Sequence, residues 1–446
     1  MQNLIRFCAV LLACASPGLA QSPPSNWPQW RGPQLTGANH TANPPTTWSE
    51  TEHVRWKVKL PGAGSSTPII WKDLIFLLAA ISVEKEIGSD AAPATKADES
   101  QRPGRGRGMR PPVPTNPYQF VVLCLDRQTG KTLWQKVARE EVPHEGHHKD
   151  HGFASSSPVT DGEHLFVNFG SRGLYCYDLQ GELKWEKNLG RMQTRNGFGE
   201  GASPALFGDT LVVTWDHEGD DFIAAFNKRT GEELWREKRN EPTSWATPLI
   251  VEHAGQAQVI AAATSRVRSY DLATGKQLWE SEGLTTNAIP SPVTADGVVY
   301  LMSGYQGNKL LAVRLGGTGD LTGTAAMLWT YNKRTPYVPS PLLYGNRLYF
   351  LAGNTGILTS LDVTNGKPLI DAQRVAGLAG VYASPVGASD RVYLMGRDGT
   401  CVVIKNADTY EVLATNALDD PIDASPVVVD RQLFLRSREH LYCIAE

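Results

Sequence analysis

The sequence predicts an all-β protein, an eight-bladed β-propeller of four-stranded blades whose last blade is closed by the N-terminal strand. Three observations lead to this fold class. A Ser/Thr-Pro-aliphatic motif occurs eight times, every copy but the last is followed by four short β-rich segments, and the last lacks a fourth segment that the beginning of the chain can supply.

The first observation is the spacing of the motif. Its copies begin at Thr67-Pro68, Ser157-Pro158, Ser203-Pro204, Thr247-Pro248, Ser291-Pro292, Ser340-Pro341, Ser384-Pro385 and Ser425-Pro426. The intervals are 90, 46, 44, 44, 49, 44 and 41 residues, so only the first departs from the others. A period of ~40–50 residues that contains four short strands is typical of a propeller blade and not of a helical solenoid.

Each repeat has the same internal order. The proline begins a first strand, where its missing N–H does no harm, and a polar turn such as Asp161-Gly162 follows. A second strand, such as 347–351, leads to a third that ends in Asp-x-x-Thr-Gly, as in Asp271–Gly275. This turn combines a side-chain acceptor with a glycine that tolerates positive φ. The fourth strand carries Leu-Trp, as in Leu278-Trp279.

The tryptophans of the fourth strands are predicted to pack against the neighbouring blade, because an indole buries a large area. They are Trp56, Trp134, Trp185, Trp235, Trp279 and Trp329. Ile370 and Ala414 replace them in the sixth and seventh repeats, where we expect weaker contacts between blades.

The two ends of the repeat region complement each other. Leu441–Glu446 supplies a third strand with no fourth, and Val54–Leu60 resembles a fourth strand with no first three. Pairing them would remove two open sheet edges. Residues 53–446 should therefore form one propeller, preceded by an extended segment at 21–52, although 446 residues suggest about three domains.

Composition excludes several classes of protein. Charged residues make up 20% of the chain and hydrophobic residues 41%, which argues against a disordered polyelectrolyte and a membrane bundle. With 43 Lys and Arg against 46 Asp and Glu, the net charge is −3, so we expect no nucleic-acid partner.

The first 20 residues have the pattern of a signal peptide. Arg6 precedes an apolar run, and Pro17–Ala20 ends in the small residues of a cleavage site. We therefore expect export to the periplasm or cell envelope and no transmembrane segment in the mature chain. An alternative is a lipoprotein box that would place a lipid anchor at Cys14, but leucine before the small residue fits it poorly.

Four cysteines remain after the signal: Cys124, Cys176, Cys401 and Cys443. Three of them, Cys124, Cys176 and Cys443, occupy the same position of their repeats. Equal positions on neighbouring blades of such a ring lie ~11 Å apart, beyond the ~7 Å that a disulfide spans. All four are therefore predicted to be reduced, buried packing residues.

These repeats resemble the PQQ-like β-propeller superfamily, which is also described as having WD40-like repeats. One branch contains the non-enzymatic BamB-like outer membrane assembly propellers, and another the quinoprotein alcohol dehydrogenases, which hold pyrroloquinoline quinone (PQQ) and calcium in the channel. The opening at Asn26–Pro33 resembles exported bacterial propellers of unassigned role. The chain lacks the adjacent cysteines of many such dehydrogenases, and their calcium ligands and catalytic aspartate have no recognisable counterpart. PQQ is therefore not expected.

One loop offers a candidate metal site. His144–His151 contains four histidines and two acidic residues. We expect His147, His148, Asp150 and His151 to meet His217 and Glu218 on one face, where a divalent metal is the candidate ligand. The spacing matches no closed zinc motif, so a polar loop beside the channel is the alternative.

Other polar and aromatic residues fall in loops predicted to surround the channel mouth. They are Arg195, Asn196, Glu200, Trp245, Arg266, Asn287, Arg334, Tyr337, Asn354, Tyr382, Arg397 and Asp398. Such groups around a concave opening are what a ligand pocket requires, although a water-filled channel is also polar. Trp245 is the candidate platform for a planar cofactor. Residues 81–117, which contain the Arg-Gly run 102–110, are predicted to be a disordered insertion in the first blade.

The function that follows is that of a monomeric, exported, non-enzymatic protein, a binding or scaffold protein in the bacterial cell envelope. Its partners would be envelope proteins or a small ligand at the channel mouth. The alternative is a PQQ- and calcium-dependent oxidoreductase, or a metal-dependent enzyme, with its site at the loop face of the channel.

Overall fold

The computed structural model describes residues 26–84 and 110–446. The predicted signal peptide with Cys14, and residues 85–109 of the predicted insertion, lie outside the described residues. Eight antiparallel sheets form the blades of a propeller, which confirms the predicted fold class. None of the helices in these two ranges has the length and apolar character needed to cross a membrane.

The first four blades contain the following strands. Blade 1 comprises β2 (Ile69–Trp71), β3 (Leu74–Ser82), β4 (Tyr118–Asp126) and β5 (Thr132–Glu141). Blade 2 comprises β6 (Val159–Thr160), β7 (His164–Asn168), β8 (Leu174–Asp178) and β9 (Leu183–Lys187). Blade 3 comprises β10 (Ala205–Phe207), β11 (Thr210–Trp215), β12 (Phe222–Asn227) and β13 (Glu233–Lys238). Blade 4 comprises β14 (Leu249–His253), β15 (Gln256–Ala261), β16 (Arg266–Asp271) and β17 (Gln277–Glu282), with β21 (Gly319–Asp320) added at its edge.

The other four blades complete the ring. Blade 5 comprises β18 (Val293–Ala295), β19 (Val298–Ser303), β20 (Lys309–Arg314) and β22 (Met327–Thr330). Blade 6 comprises β23 (Leu342–Tyr344), β24 (Arg347–Leu351), β25 (Ile357–Asp362) and β26 (Pro368–Arg374). Blade 7 comprises β27 (Val386–Ala388), β28 (Arg391–Met395), β29 (Thr400–Lys405) and β30 (Val412–Ala417). Blade 8 comprises β31 (Val427–Val429), β32 (Gln432–Arg436), β33 (His440–Ala445) and β1 (Val54–Lys59). Two 3-10 helices, Gly170–Arg172 and Arg195–Gly197, lie in loops.

Blade 8 closes as the sequence predicts. Strand β1 pairs antiparallel with β33, with Trp56 opposite Cys443 and Val58 opposite Leu441. Two buried arginines reinforce the junction between blades 8 and 1. Arg127 donates to Gln432 Oε1 (2.6 Å), and Arg436 donates to Leu78 O (2.7 Å).

At the rim, an indole N–H joins each of several blades to the next. Trp134 Nε1 donates to Leu179 O (3.0 Å), in the turn between the third and fourth strands of blade 2. Gly181 of that turn has φ +84°, and a Cβ atom there would lie 2.9 Å from the Trp134 ring. The glycine is thus required by both backbone and packing. Equivalent indole bonds are made by Trp56, Trp185, Trp235 and Trp329.

Blade 4 departs from this pattern. Trp279 is fully buried and donates to Gln258 Oε1 of its own blade (2.9 Å). The cause is β21, which pairs parallel with β17 and covers its outer edge.

Where tryptophan is replaced, tyrosines of the second strands make other contacts. In blade 6, Tyr349 Oη donates to Asn406 Oδ1 of blade 7 (2.9 Å). In blade 7, Tyr393 Oη donates to Pro45 O of the N-terminal segment (3.2 Å). The contacts that we expected to be weaker at Ile370 and Ala414 are therefore supplemented by these bonds.

Near the axis, the Ser/Thr side chains link successive blades. Ser157 N donates to Ser203 Oγ (2.8 Å), and the same bond recurs from blade to blade at up to 3.2 Å. The seven bonds run Thr67→Ser157, Ser157→Ser203, Ser203→Thr247, Thr247→Ser291, Ser291→Ser340, Ser340→Ser384 and Ser384→Ser425. We call these eight residues the hydroxyl ring. The ring is open at the closure, because the buried Thr67 Oγ1 has no hydrogen-bond partner among the described residues.

The four described cysteines are free and buried, which confirms that prediction. Cys124, Cys176 and Cys443 lie opposite Trp134, Trp185 and Trp56 respectively, so they share one register. Burial raises the pKa of Cys124 to about 12, which keeps its thiol protonated.

Two threonines of the hydroxyl ring allow a matched test of the interblade bond. Thr247→Val removes the acceptor of the Ser203 N–H and should lower the free energy of unfolding by ~1–3 kcal/mol, because a buried amide loses its partner. Thr67→Val removes a hydroxyl that has no hydrogen-bond partner among the described residues, and should change the free energy of unfolding by less than ~0.5 kcal/mol. Equilibrium denaturation measures both, and equal losses would contradict a role for the bond.

Candidate functional site

The central channel contains a cavity of about 360 Å³. Its interior is lined by the hydroxyl ring together with Ser65 and Ser155. The same motif that starts each blade therefore also determines the chemistry of the channel wall.

The N-terminal segment forms the floor of this cavity. Trp30 lines the cavity and donates through Nε1 to Ser291 Oγ (3.0 Å). Its neighbour Arg31 is buried and donates through Nη2 to Pro341 O (2.7 Å) and Pro385 O (2.9 Å). Burial lowers the pKa of Arg31 to about 9. Trp27 N donates to Ile70 O of blade 1 (2.8 Å), so the segment crosses the channel from blade 1 to blades 5, 6 and 7, at the end away from the mouth.

Aromatic side chains surround the mouth. Tyr305 and Tyr337 stack with ring centroids 4.7 Å apart. Trp245 is held by a hydrogen bond from Nε1 to Gly199 O (2.7 Å). Phe198 and Tyr382 complete the aromatic rim. All five line the cavity, so aromatic rings surround the mouth beside the polar interior.

An ion-pair network joins the loop His144–His151, which we call the His-rich loop, to blades 7 and 8. Arg397 Nη2 donates to Asp150 Oδ1 (3.0 Å), and Nε donates to Asp423 Oδ1 (2.6 Å). The guanidinium lies 3.9 Å from the Tyr382 ring centroid, and Tyr382 Oη donates to Asp150 Oδ2 (3.2 Å). Burial raises the pKa of Asp150, but the hydrogen bond and charge of Arg397 outweigh this, so the pKa lies below its usual value. Asp150 is thus an ionised anchor for the loop.

His151 contributes a neutral imidazole to the cavity wall. Its Nδ1 lies 2.7 Å from Ser155 Oγ. Burial, with a smaller effect from His147 and His148, lowers the pKa of His151 to about 4. The ring is therefore uncharged at neutral pH and available for hydrogen bonding.

The predicted mouth residues occupy three kinds of position. Trp245, Tyr337 and Tyr382 line the cavity. A second group supports the lining: Asn287 Nδ2 donates to Tyr337 Oη (3.3 Å), Asn354 Oδ1 accepts from Val338 N (3.1 Å), and Arg397 holds Asp150.

The remaining predicted mouth residues lie away from this cavity: Arg195, Asn196, Glu200, Arg266, Arg334 and Asp398. Glu200 forms an ion pair with Arg172 (2.7 Å). Arg266 pairs with Asp320 of β21 (3.1 Å). Arg334 pairs with Asp371 on the surface (2.9 Å). Asp398 Oδ1 accepts from Thr400 N (3.1 Å), and Arg195 and Asn196 lie in a 3-10 helix.

The candidate metal residues are divided between two places. His148, Asp150 and His151 line the channel cavity, whereas His217 and Glu218 line a separate cavity with Arg266. His147 lines neither, and its Nδ1 lies 2.8 Å from His148 O. His217 Nδ1 accepts from Gly219 N (3.0 Å), and Glu218 Oε1 accepts from Thr243 Oγ1 (3.1 Å).

No three of the candidate residues have ligand atoms within 4.8 Å of one another, as far as the chain is described. A group that does meet this distance is Asp161, Glu163 and His164 of blade 2, where the Lys228 ammonium lies 3.0 Å from Asp161. Metal binding by the His-rich loop stays a prediction.

The sequence matches the family profile described as outer membrane protein assembly factor BamB, over residues 119–325 and 223–446. This chain belongs to the BamB family. BamB of Yersinia pestis is 24% identical over 294 residues, which cover 63% of this chain and 65% of that protein. The match thus spans slightly less than two thirds of the curated relative.

Two solved propellers share the fold. BamB from Moraxella catarrhalis superposes with a TM-score of 0.51 at 13% identity, covering 73% of this chain and 93% of that one. A europium-containing methanol dehydrogenase superposes with a TM-score of 0.58 at 9% identity, covering 92% of this chain and 89% of that one. At these identities the likeness concerns the fold alone.

The cavity of this BamB-family chain is a poor fit for PQQ. This quinone carries three carboxylates, whereas the lining contains Asp150 and Asp423 and, among its described members, neither lysine nor arginine. Arg397, which lies behind the lining, is already paired with both carboxylates. Among the described lining residues, a tricarboxylate would find no unpaired cation to neutralise its charge.

Several lining residues were not predicted from the sequence. The proline of each Ser/Thr-Pro motif was explained by its place at the start of a strand, but no role was predicted for the hydroxyl. The signal was the eightfold recurrence of Ser or Thr at this position. Trp30, Phe198, Tyr305 and Asp423 were also missed, and no sequence pattern sets them apart from packing residues.

The neutral state of His151 predicts a pH dependence of stability. In the unfolded chain the imidazole takes up a proton near 6.5, and in the folded chain only near 4. The unfolded state therefore binds more protons between these values, so stability falls as the pH is lowered through this window, by roughly 2 kcal/mol. Denaturation from pH 7 to pH 4 should show a shallower fall for His151→Asn. Identical pH profiles would contradict the assignment.

Proposed function

We propose that this chain is an exported, monomeric scaffold of the cell envelope that binds other envelope proteins and has no catalytic activity of its own. Its family membership supports a scaffold or assembly role, because relatives with 24% and 13% identity are outer membrane protein assembly factors or BamB proteins by name. The structural observation that carries the proposal is the exposed apolar edge of blades 1, 2 and 3.

Three consecutive blades expose a leucine near their outer tryptophan: Leu133 and Leu234 directly precede it, and Leu183 lies two residues before it. The exposed fractions are 52% for Leu133, 50% for Leu183 and 46% for Leu234. Each lies on the outermost strand of its blade. Such a strand offers unpaired backbone groups and apolar side chains, to which an extended segment of another protein can add.

Blade 4 shows how such an edge is covered within the chain. Strand β21 pairs with β17, and Leu321 beside it is only 4% exposed. Leu278 of β17 packs in the same apolar cluster as Leu321. The covered edge of blade 4 thus indicates what the edges of blades 1 to 3 accept: a short extended segment with an apolar side chain.

Site-specific photocrosslinking in the native envelope tests the proposal. A benzophenone side chain at Leu183 or Leu234 should give a discrete adduct with an envelope protein. The matched control is Phe207, which is 38% exposed but lies on an innermost strand, and which should give none. Leu183→Lys and Leu234→Lys should reduce co-purification of the same partner, while Phe207→Lys should not.

Three results would overturn the proposal: equal labelling at all three positions, recovery of the protein in the cytoplasmic fraction, or quinone-dependent oxidation. The last is measured by dye reduction with alcohols and sugars after addition of PQQ and calcium. Turnover in that assay would favour the oxidoreductase alternative.

A further inference from the structure

The hydroxyl ring leaves a set of O–H donors directed at the channel. In seven members the side-chain oxygen accepts a backbone N–H of the preceding blade. No described group accepts the protons of these seven hydroxyls. Because the residues line the cavity, their donors are available to a ligand rich in acceptor oxygens.

The charges at the mouth cancel each other. Asp150 and Asp423 are both paired with Arg397, and Asp423 also accepts from Arg438 Nη2 (3.1 Å). A cavity with paired carboxylates and no lysine or arginine among its described lining residues favours an uncharged ligand over an anion.

The aromatic rim supplies the apolar component. Tyr305 is 36% exposed and stacks on Tyr337, and both residues line the cavity. Trp245, fixed by its hydrogen bond to Gly199 O, lines the same space. Flat aromatic faces beside hydroxyl donors and carboxylate acceptors match one class of small molecule, whose C–H faces alternate with hydroxyl groups.

We propose that the channel cavity binds a neutral carbohydrate of one or two rings. The C–H face of a sugar stacks on the rim, and its hydroxyl oxygens accept hydrogen bonds from the hydroxyl ring. Each carboxylate oxygen of Asp150 and Asp423 already accepts from Arg397, Tyr382 or Arg438, but an oxygen has more than one lone pair and can accept a further hydrogen bond from a sugar hydroxyl. The volume of about 360 Å³ lies in the range of small-molecule pockets, and Trp30 closes its floor.

This site is independent of the proposed scaffold function, because the exposed leucines of blades 1 to 3 lie on outer strands and the cavity lies at the axis. Loss of saccharide binding would leave the crosslinking experiment unaffected, and the reverse also holds.

Calorimetric titration of the full mature protein tests the proposal with three neutral disaccharides: maltose, cellobiose and N,N′-diacetylchitobiose. Glucuronate and inorganic phosphate serve as anionic probes. At least one neutral disaccharide should bind with a millimolar or lower dissociation constant, and the anions should bind more weakly. Tyr305→Ala should weaken binding about tenfold, since an aromatic stacking contact is lost.

Two further variants keep the outcome decisive. Tyr410→Ala is the matched control, because Tyr410 is a half-buried tyrosine packed against a cluster outside the cavity. It should bind as the wild type does. Trp245→Ala should weaken binding as Tyr305→Ala does. The proposal is overturned if no neutral disaccharide binds, if an anion binds more tightly, or if both cavity variants bind at wild-type strength.

Discussion

The bond between a backbone amide of one blade and a serine or threonine oxygen of the next is the interaction on which this propeller depends. It occurs at the narrowest part of the ring, where eight strands converge and little apolar side chain can be accommodated. Each buried amide there needs an acceptor, and a short hydroxyl side chain provides one without filling the channel. Once the oxygens are used in this way, the hydroxyl protons are left to face the axis. The polarity of the cavity is therefore a consequence of how the blades are joined.

The architecture could be predicted from the sequence because it depends on local, repeated choices. The Ser/Thr-Pro start, the Thr-Gly turn and the outer tryptophan each recur in register, so their meaning does not depend on distant partners. The closure of blade 8 followed from counting strands. In each of these cases the periodicity carried the information.

The site was only partly predictable, for a physical reason. Sorting loops by face indicates which end of the channel a residue is near, but not its distance from the axis. Glu200 is held away from the cavity by its ion pair with Arg172. Arg266 is held away by its ion pair with Asp320 of β21, which lies between two strands of blade 5 in the sequence but pairs with blade 4. Trp30 was not anticipated because the segment that carries it belongs to no repeat. Contacts of this kind depend on the tertiary fold and produce no regular spacing in the sequence.

The pairing of β1 with β33 has a consequence for the order of assembly. Val58 and Leu441 meet although almost the whole propeller lies between them in the sequence. The entropy cost of joining such distant segments rises with the length of chain between them, and contacts of this kind form slowly. Seven blades can be built from neighbouring segments, but the eighth has to wait until the carboxyl-terminal strands emerge. Until then β1 remains an unpaired strand, and the nascent ring stays open to chaperones, proteases and neighbouring chains.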